Sequence, residues 1–245
     1  MSRHPRLRFG VLLWCLAMSG VLVVTLTLLP GLLEAAKSPL PTWAILTLSA
    51  AQSAVLVAGA VWLGVALSRP LGLGAPALQA AVSSGGSWKA LAPQLAPAAA
   101  VGVGVAVLLY ILQQVTPTEL TVAASRMEIP LAAKLLYGGV TEEVLMRWGV
   151  MTLIAWVPWR LAGRRERALA PSIALAIVLS ALLFGLGHLP AARAMGAALS
   201  PPVVGYIVLG NALPGLLFGL LFWRWGLEAA MLAHALAHLL FHLAS

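Results

Sequence analysis

The chain has 245 residues, of which 61% are hydrophobic and 9% charged, and its mean hydropathy is +0.98. Soluble domains carry roughly 25% charged and 45–50% apolar residues, so one water-soluble domain could not hide this much apolar surface, and soluble classes are excluded. The net charge is +8 and all seven acids are Glu. There is no basic tail or basic aromatic groove, so the excess fits the positive-inside rule and not nucleic-acid binding. A single cysteine, Cys15, excludes an internal disulfide and any CxxC metal or redox motif.

A span of about 20 residues crosses a bilayer at about 1.5 Å per residue. Apolar runs predict seven spans in chain order: Phe9–Leu29, Thr42–Leu67, Pro97–Val115, Ile129–Val157, Pro171–Leu189, Pro202–Trp223 and Leu227–Leu243. The first run follows Arg3, Arg6 and Arg8 and is too long for a signal-peptide core, so it reads as an uncleaved span. Between the second and third lies Arg69–Ala96, rich in Gly, Pro and Ser around Ser83-Ser84-Gly85-Gly86-Ser87, which reads as a flexible cytoplasmic linker with a short interfacial helix. The sixth run contains Gly210, Asn211, Pro214 and Gly215, and a break there would make eight segments.

Ten Lys and Arg residues fall in segments on the N-terminal side of the membrane. Three, Lys37, Arg126 and Arg193, fall on the other side, and Lys134 and Arg147 lie within the fourth span. This asymmetry predicts a cytoplasmic N-terminus. The expected fold is an all-α polytopic transmembrane bundle, a single integrated membrane domain. Residues 1–128 supply N-terminal spans and the linker, and residues 129–245 hold every chemical motif.

A charge at the centre of a span costs about 2.5–3.5 kcal/mol on insertion scales, so such groups are read first as functional. The fourth span carries Glu142, Glu143 and Arg147, the fifth ends near His188, and the seventh carries His234, His238 and His242. On an α-helix Glu143 and Arg147 form an i,i+4 pair in the favourable order. Glu142 then points about 100° away, toward another part of the bundle, where a carboxylate in a low-dielectric cavity suits general-base work. The alternative is that Arg147 and Lys134 pair with both carboxylates merely to lock helices. His234 and His238 share a face, so together they can grip one metal ion or donate to one oxyanion. His242 reads as a polar face toward a neighbouring helix. Gly185 and Gly187 leave room beside the His188 ring for another backbone or a substrate. Counted from the loop ends, His234 should lie near one membrane face and His188 near the other.

Three motifs occur in order: Glu142-Glu143-Val144-Leu145-Met146-Arg147, Phe184-Gly185-Leu186-Gly187-His188, and His234-Ala235-Leu236-Ala237-His238. Together they resemble the CPBP family of intramembrane proteases, also called the Abi or type II CAAX-prenyl-endopeptidase-like family. The segment Gly215-x-x-Phe218-Gly219 resembles it too. The resemblance covers Ile129 to the C-terminal end, and the first three spans carry no motif. The family usually ends its last motif with Asn or Asp, where this chain has His238.

The resemblance implies hydrolysis of a peptide bond within the membrane, on a membrane-embedded or lipid-anchored peptide substrate. It implies that Glu142 and His188 activate a water and that His234 and His238 steady the oxyanion, with Glu143, Arg147 and Phe184 as structural support. Two chemistries fit, a metal-free glutamate-activated water or a metalloprotease holding Zn2+ through Glu142, His188, His234 and His238. The expected location is the plasma membrane. A proton-coupled transporter using the same Glu/His cluster, and a non-proteolytic scaffold or immunity protein, are the alternatives. The absence of paired inverted repeats argues against the transporter.

Overall fold

A computed structural model describes residues 3–35, 37–83, 85–125, 128–166 and 169–244. Arg126, Arg167 and Ser84, which entered the charge and linker readings, lie outside the described residues. The described residues form helices and connecting turns, with no strand among them. In order they are α1 (Arg3–Thr27), α2 (Leu29–Ala35), α3 (Thr42–Leu67), α4 (Pro76–Ser83), α5 (Ser87–Gln113) and α6 (Thr118–Ala124), then α7 (131–161), α8 (Leu169–Gly187), α9 (Leu189–Ala194), α10 (Pro201–Arg224) and α11 (Leu227–Ala244).

Six helical stretches are long and apolar enough to cross a membrane, which makes this an integral membrane protein. They are Pro5–Ala35, Thr42–Leu67, Ser87–Gln113, Leu169–Ala194, Pro201–Arg224 and Leu227–Ala244. The expected fourth span, now α7, is not one of the six. Lys134, Glu142, Glu143 and Arg147 make it too polar, and it survives in an apolar bundle because neighbours cover it on several sides. Its π portion packs against α1, α3 and α11, and its later turns pack against α8.

One sequence expectation needs correction here, and the eight-segment alternative falls. The Arg69–Ala96 segment is not a flexible linker: it forms a 3-10 turn at Arg69–Leu71, then α4, then the first turns of α5. Leu71, Leu73, Ala75 and Ala77 are buried there. Glu228, at the start of α11, accepts the Leu78 N–H at 2.8 Å, so a residue 150 positions away caps α4. The sixth span is also unbroken. Pro214 is buried inside a continuous α10, where surrounding helices can satisfy the carbonyl that a proline frees.

The largest departure from regular geometry is in α7. Between Lys134 and Met151 its backbone is π-helical, interrupted only at Glu143. π turns are rare, are typically short and cluster at functional sites. The i,i+5 register shows in the side chains: Thr141 Oγ1 reaches the Leu136 carbonyl at 3.3 Å and Thr152 Oγ1 the Arg147 carbonyl at 3.2 Å. The N-terminal helices hold this segment in place. Thr141 Oγ1 also donates to Ala17 O of α1 at 2.6 Å, and Trp148 Nε1 donates to Val61 O of α3 at 3.2 Å. The Trp148 indole lies directly on Gly64, where a Cβ would overlap the ring. The spans without a motif therefore supply the walls that fix the motif-bearing helix.

Candidate active site

The polar residues of three helices meet at one point. Glu142 comes from the π segment of α7, His188 follows the last residue of α8, and His234 and His238 sit one turn apart on α11. His188 Nε2 is 3.9 Å from Glu142 Oε1, and His234 Nε2 is 4.0 Å from Glu142 Oε2. Counting residues from the loop ends had set these histidines at opposite faces. The structure instead brings both within 4.0 Å of one carboxylate. α8 and α11 meet across α7, with the Phe184 and His234 rings 6.1 Å apart and perpendicular.

Glu143 does more than neutralise Arg147. The pair forms as expected, with Arg147 Nε 3.2 Å from Glu143 Oε2 and both side chains fully buried. The other carboxylate oxygen, Oε1, accepts from His234 Nδ1 at 2.8 Å. Glu142 and Glu143 therefore do not address different parts of the bundle: they flank the two nitrogens of one imidazole. Arg147 is held in turn by the Gly215 carbonyl at 3.3 Å and lies over the Phe184 ring, 4.9 Å from its centroid.

The hydrogen-bond partners assign the imidazole tautomers. His188 Nδ1 lies 2.8 Å from Phe184 O, a carbonyl that can only accept, so Nδ1 carries the proton. A neutral His188 then turns a bare Nε2 toward Glu142. His234 donates from Nδ1 to Glu143, so its neutral form likewise has a bare Nε2, which can accept from His238 Nε2 at 3.1 Å. A carboxylate and imidazole lone pairs facing one another repel unless a proton donor or a cation lies between them. A water molecule, donating to Glu142 and to one imidazole, meets that demand.

Aromatic packing locks the rings. Phe218 stacks on His234 at 4.6 Å between centroids, and Phe184 meets His188 edge-on at 4.7 Å. The backbone leaves space where the rings need it. A Cβ on Gly138 would sit 2.9 Å from His238 Nε2, so only glycine lets α7 approach that ring unstrained. Gly185 lies against the Val208 backbone of α10, whereas Gly187 faces open space. Of the two glycines beside His188, one therefore admits a neighbouring backbone and the other leaves room.

The cluster opens into a cavity of about 550 Å3 with mostly apolar walls from α1, α2, α3, α5 and α10. Glu142 and His188 are partly exposed to it, at 18% and 32%, while Glu143 is at 0%. Among the described residues no three or more His, Cys, Asp or Glu side chains converge with ligand geometry for a metal ion. Glu142, His188, His234 and His238 are the side chains that would hold such an ion, with Glu142 3.9 and 4.0 Å from the two imidazole Nε2 atoms and His234 Nε2 3.1 Å from His238 Nε2.

Sequence reasoning did not single out Gly138 or the α1 and α3 contacts as parts of the site. Gly138 stands in an ordinary-looking Gly-Gly pair, and its role appears only once α11 is in place. Phe218 was visible only through the Gly215-x-x-Phe218-Gly219 resemblance.

No curated protein and no solved structure is significantly similar to the chain. Residues 127–240 match the family model described as "Type II CAAX prenyl endopeptidase Rce1-like". The match spans all three motifs and supports a protease-type function for the membrane-embedded site. Over residues 127–240 the chain is therefore similar to the type II CAAX prenyl endopeptidase Rce1-like family, which is consistent with the CPBP resemblance of its motifs.

Proposed function

We propose that the protein is an intramembrane endopeptidase that hydrolyses a peptide bond with a water activated by Glu142 and His188. The observation that carries this reading is the facing of the Glu142 carboxylate and two imidazole Nε2 atoms, 3.9 and 4.0 Å away, at the edge of the cavity. Glu142 takes a proton from the water as the hydroxide oxygen bonds to the substrate carbonyl carbon. The developing oxyanion is stabilised by His238, whose Nε2–H turns from His234 toward it, and by His234 in its imidazolium form, whose charge Glu143 supports from the Nδ1 side. The tetrahedral intermediate then collapses: the C–N bond breaks, and the proton held on Glu142 passes to the leaving nitrogen. Phe184 and Arg147 keep His188 and Glu143 in place.

The substrate is a membrane-embedded or lipid-anchored peptide, since the cavity walls are apolar and lie within the spans. The 1–128 and 129–245 regions act as one membrane unit, with the N-terminus on the cytoplasmic side of the plasma membrane. No step requires a metal.

The test is cleavage of a fluorogenic membrane peptide by the purified protein in proteoliposomes. Glu142→Gln keeps the shape and removes the base. It should lower the rate by about 10²–10⁴ while leaving the thermal midpoint unchanged. Equal cleavage by Glu142→Gln would overturn the mechanism, and no cleavage by the wild type on any membrane peptide would favour a scaffold. A rate that collapses with chelator and returns with Zn2+ would replace the metal-free water by the metalloprotease reading.

A further inference from the structure

A second recess lies far from the site, on the outer face of the α1–α3 pair. It encloses about 430 Å3 between Arg6, Leu7, Gly10, Val11 and Trp14 of α1 and Ala58, Val61, Trp62 and Val65 of α3. Leu7, Val11 and Trp62 are 68%, 53% and 68% exposed, so it opens to the bilayer. The helices run antiparallel there: Trp14 Nε1 donates to Ala54 O at 3.1 Å, while Gly10 faces Val61. The Arg6 end of α1 therefore meets the Val65 end of α3, where Arg69 follows four residues later. Neither arginine forms an ion pair among the described residues.

We infer that this crevice seats one acyl chain of an anionic phospholipid, with the phosphate at the Arg6 and Arg69 end. The walls are mostly apolar, and the Trp14 N–H is already bonded to the Ala54 carbonyl. The small residues Gly10 and Ala58 leave the width that a hydrocarbon chain occupies, and the one polar end is cationic. Juxtamembrane arginines attract anionic headgroups, above all on the cytoplasmic leaflet, where the charge count places this end. A second copy of the chain fits less well: a two-fold contact through this face would bring the same arginines against each other. The occupant would also bear on the site helix. Val61, the rear wall, accepts the Trp148 N–H, and Phe9 of α1 packs edge-on against Trp148 at 5.4 Å.

The experiment is native mass spectrometry of the detergent-purified full chain, titrated with dioleoylphosphatidylglycerol or with dioleoylphosphatidylcholine. The wild type should retain one phosphatidylglycerol several-fold more often than phosphatidylcholine. Gly10→Leu fills the crevice and should reduce that adduct several-fold. A Cβ at Gly10 would meet only Val61 Cγ1, at 3.6 Å, so the fold should tolerate it. Should it not fold, Ala58→Leu, exposed on the opposite wall, makes the same test. The double variant Arg6→Gln, Arg69→Gln should equalise the two lipids while leaving one bound. Equal binding of both lipids by the wild type would overturn the proposal. So would an undiminished adduct in the filled variants, or a protein dimer that Gly10→Leu dissolves.

Discussion

The N-terminal spans and the C-terminal spans are built to different rules. In α3 and α5 only 17% and 22% of the most apolar window is buried within the protein, whereas in the α8–α9 stretch, α10 and α11 the shares are 44%, 39% and 39%. α3 and α5 are mostly turned to lipid, and the residues α3 buries are small or aliphatic: Val57, Ala60, Val61 and Gly64. The C-terminal helices bury Glu143, Arg147, Ser180, Glu228 and His234. Polar groups in a bilayer must find protein partners, so a helix carrying them has to be enclosed. Apolar helices are free to stay at the periphery. They meet the site as apolar cavity walls and through the contacts that fix α7.

If that contrast is right, the largest loss of stability should come from the enclosed ion pair. Arg147→Ala leaves the Glu143 carboxylate buried without its counter-charge, at a cost of about 3–5 kcal/mol. The expected outcome is little folded protein in detergent and a sharply lowered thermal midpoint. A normal yield and midpoint would mean that His234 alone suffices for Glu143.

Glycines within one peripheral helix give a sharper comparison. Gly64→Ala drives a methyl into the Trp148 indole and should destabilise by about 1–3 kcal/mol through overpacking. Gly59→Ala, five residues earlier on α3, meets nothing within 4 Å and should be neutral or stabilising by about 0.5–1 kcal/mol through helix propensity. Parallel thermal melts of both variants check this. Equal effects would show that α3 does not discriminate its α7-facing side from its lipid-facing side.

Gly138→Ala should separate site geometry from stability. The added methyl would lie 2.9 Å from His238 Nε2, close enough to displace the ring without breaking the Glu143–Arg147 pair. Cleavage should fall by about tenfold or more, the scale on which small misplacements cost rate, with a midpoint close to wild type. An unchanged rate would free His238 from any part in the reaction.

The smallest effect is expected from His238→Asn. An amide keeps a donor at this position, so the proteoliposome assay should show cleavage within a few-fold of wild type. Loss comparable to that of Glu142→Gln would make the second imidazole of α11 indispensable.

Much of this molecule can be read along the chain. Membrane helices form their backbone hydrogen bonds within each segment, so hydropathy locates them without knowledge of their neighbours. The second and seventh spans illustrate this: Thr42–Leu67 was read with the same bounds, and Leu227–Leu243 differs by one residue at its end. The Glu143–Arg147 pair was legible for the same reason, because both partners lie on one helix within four residues. The motif residues were legible because ionisable groups are rare in lipid-spanning sequence.

The remainder depends on contacts between residues far apart in sequence. Nothing local marks α7 as π-helical. That backbone is held by Ala17 and Val61, more than eighty residues away from the side chains they accept. The order of the Arg69–Ala96 segment depends on the carboxylate of Glu228, and the enforced glycine at position 138 depends on His238. A residue count along each helix does not reveal that His188 and His234 meet at one carboxylate, because it carries nothing about how the helices are staggered against one another. Individual helices follow from short-range hydrogen bonding and hydropathy. The facing of Glu142, His188 and His234, like the joint hold of Glu142 and Glu143 on one imidazole, arises only when three separate helices close on one another.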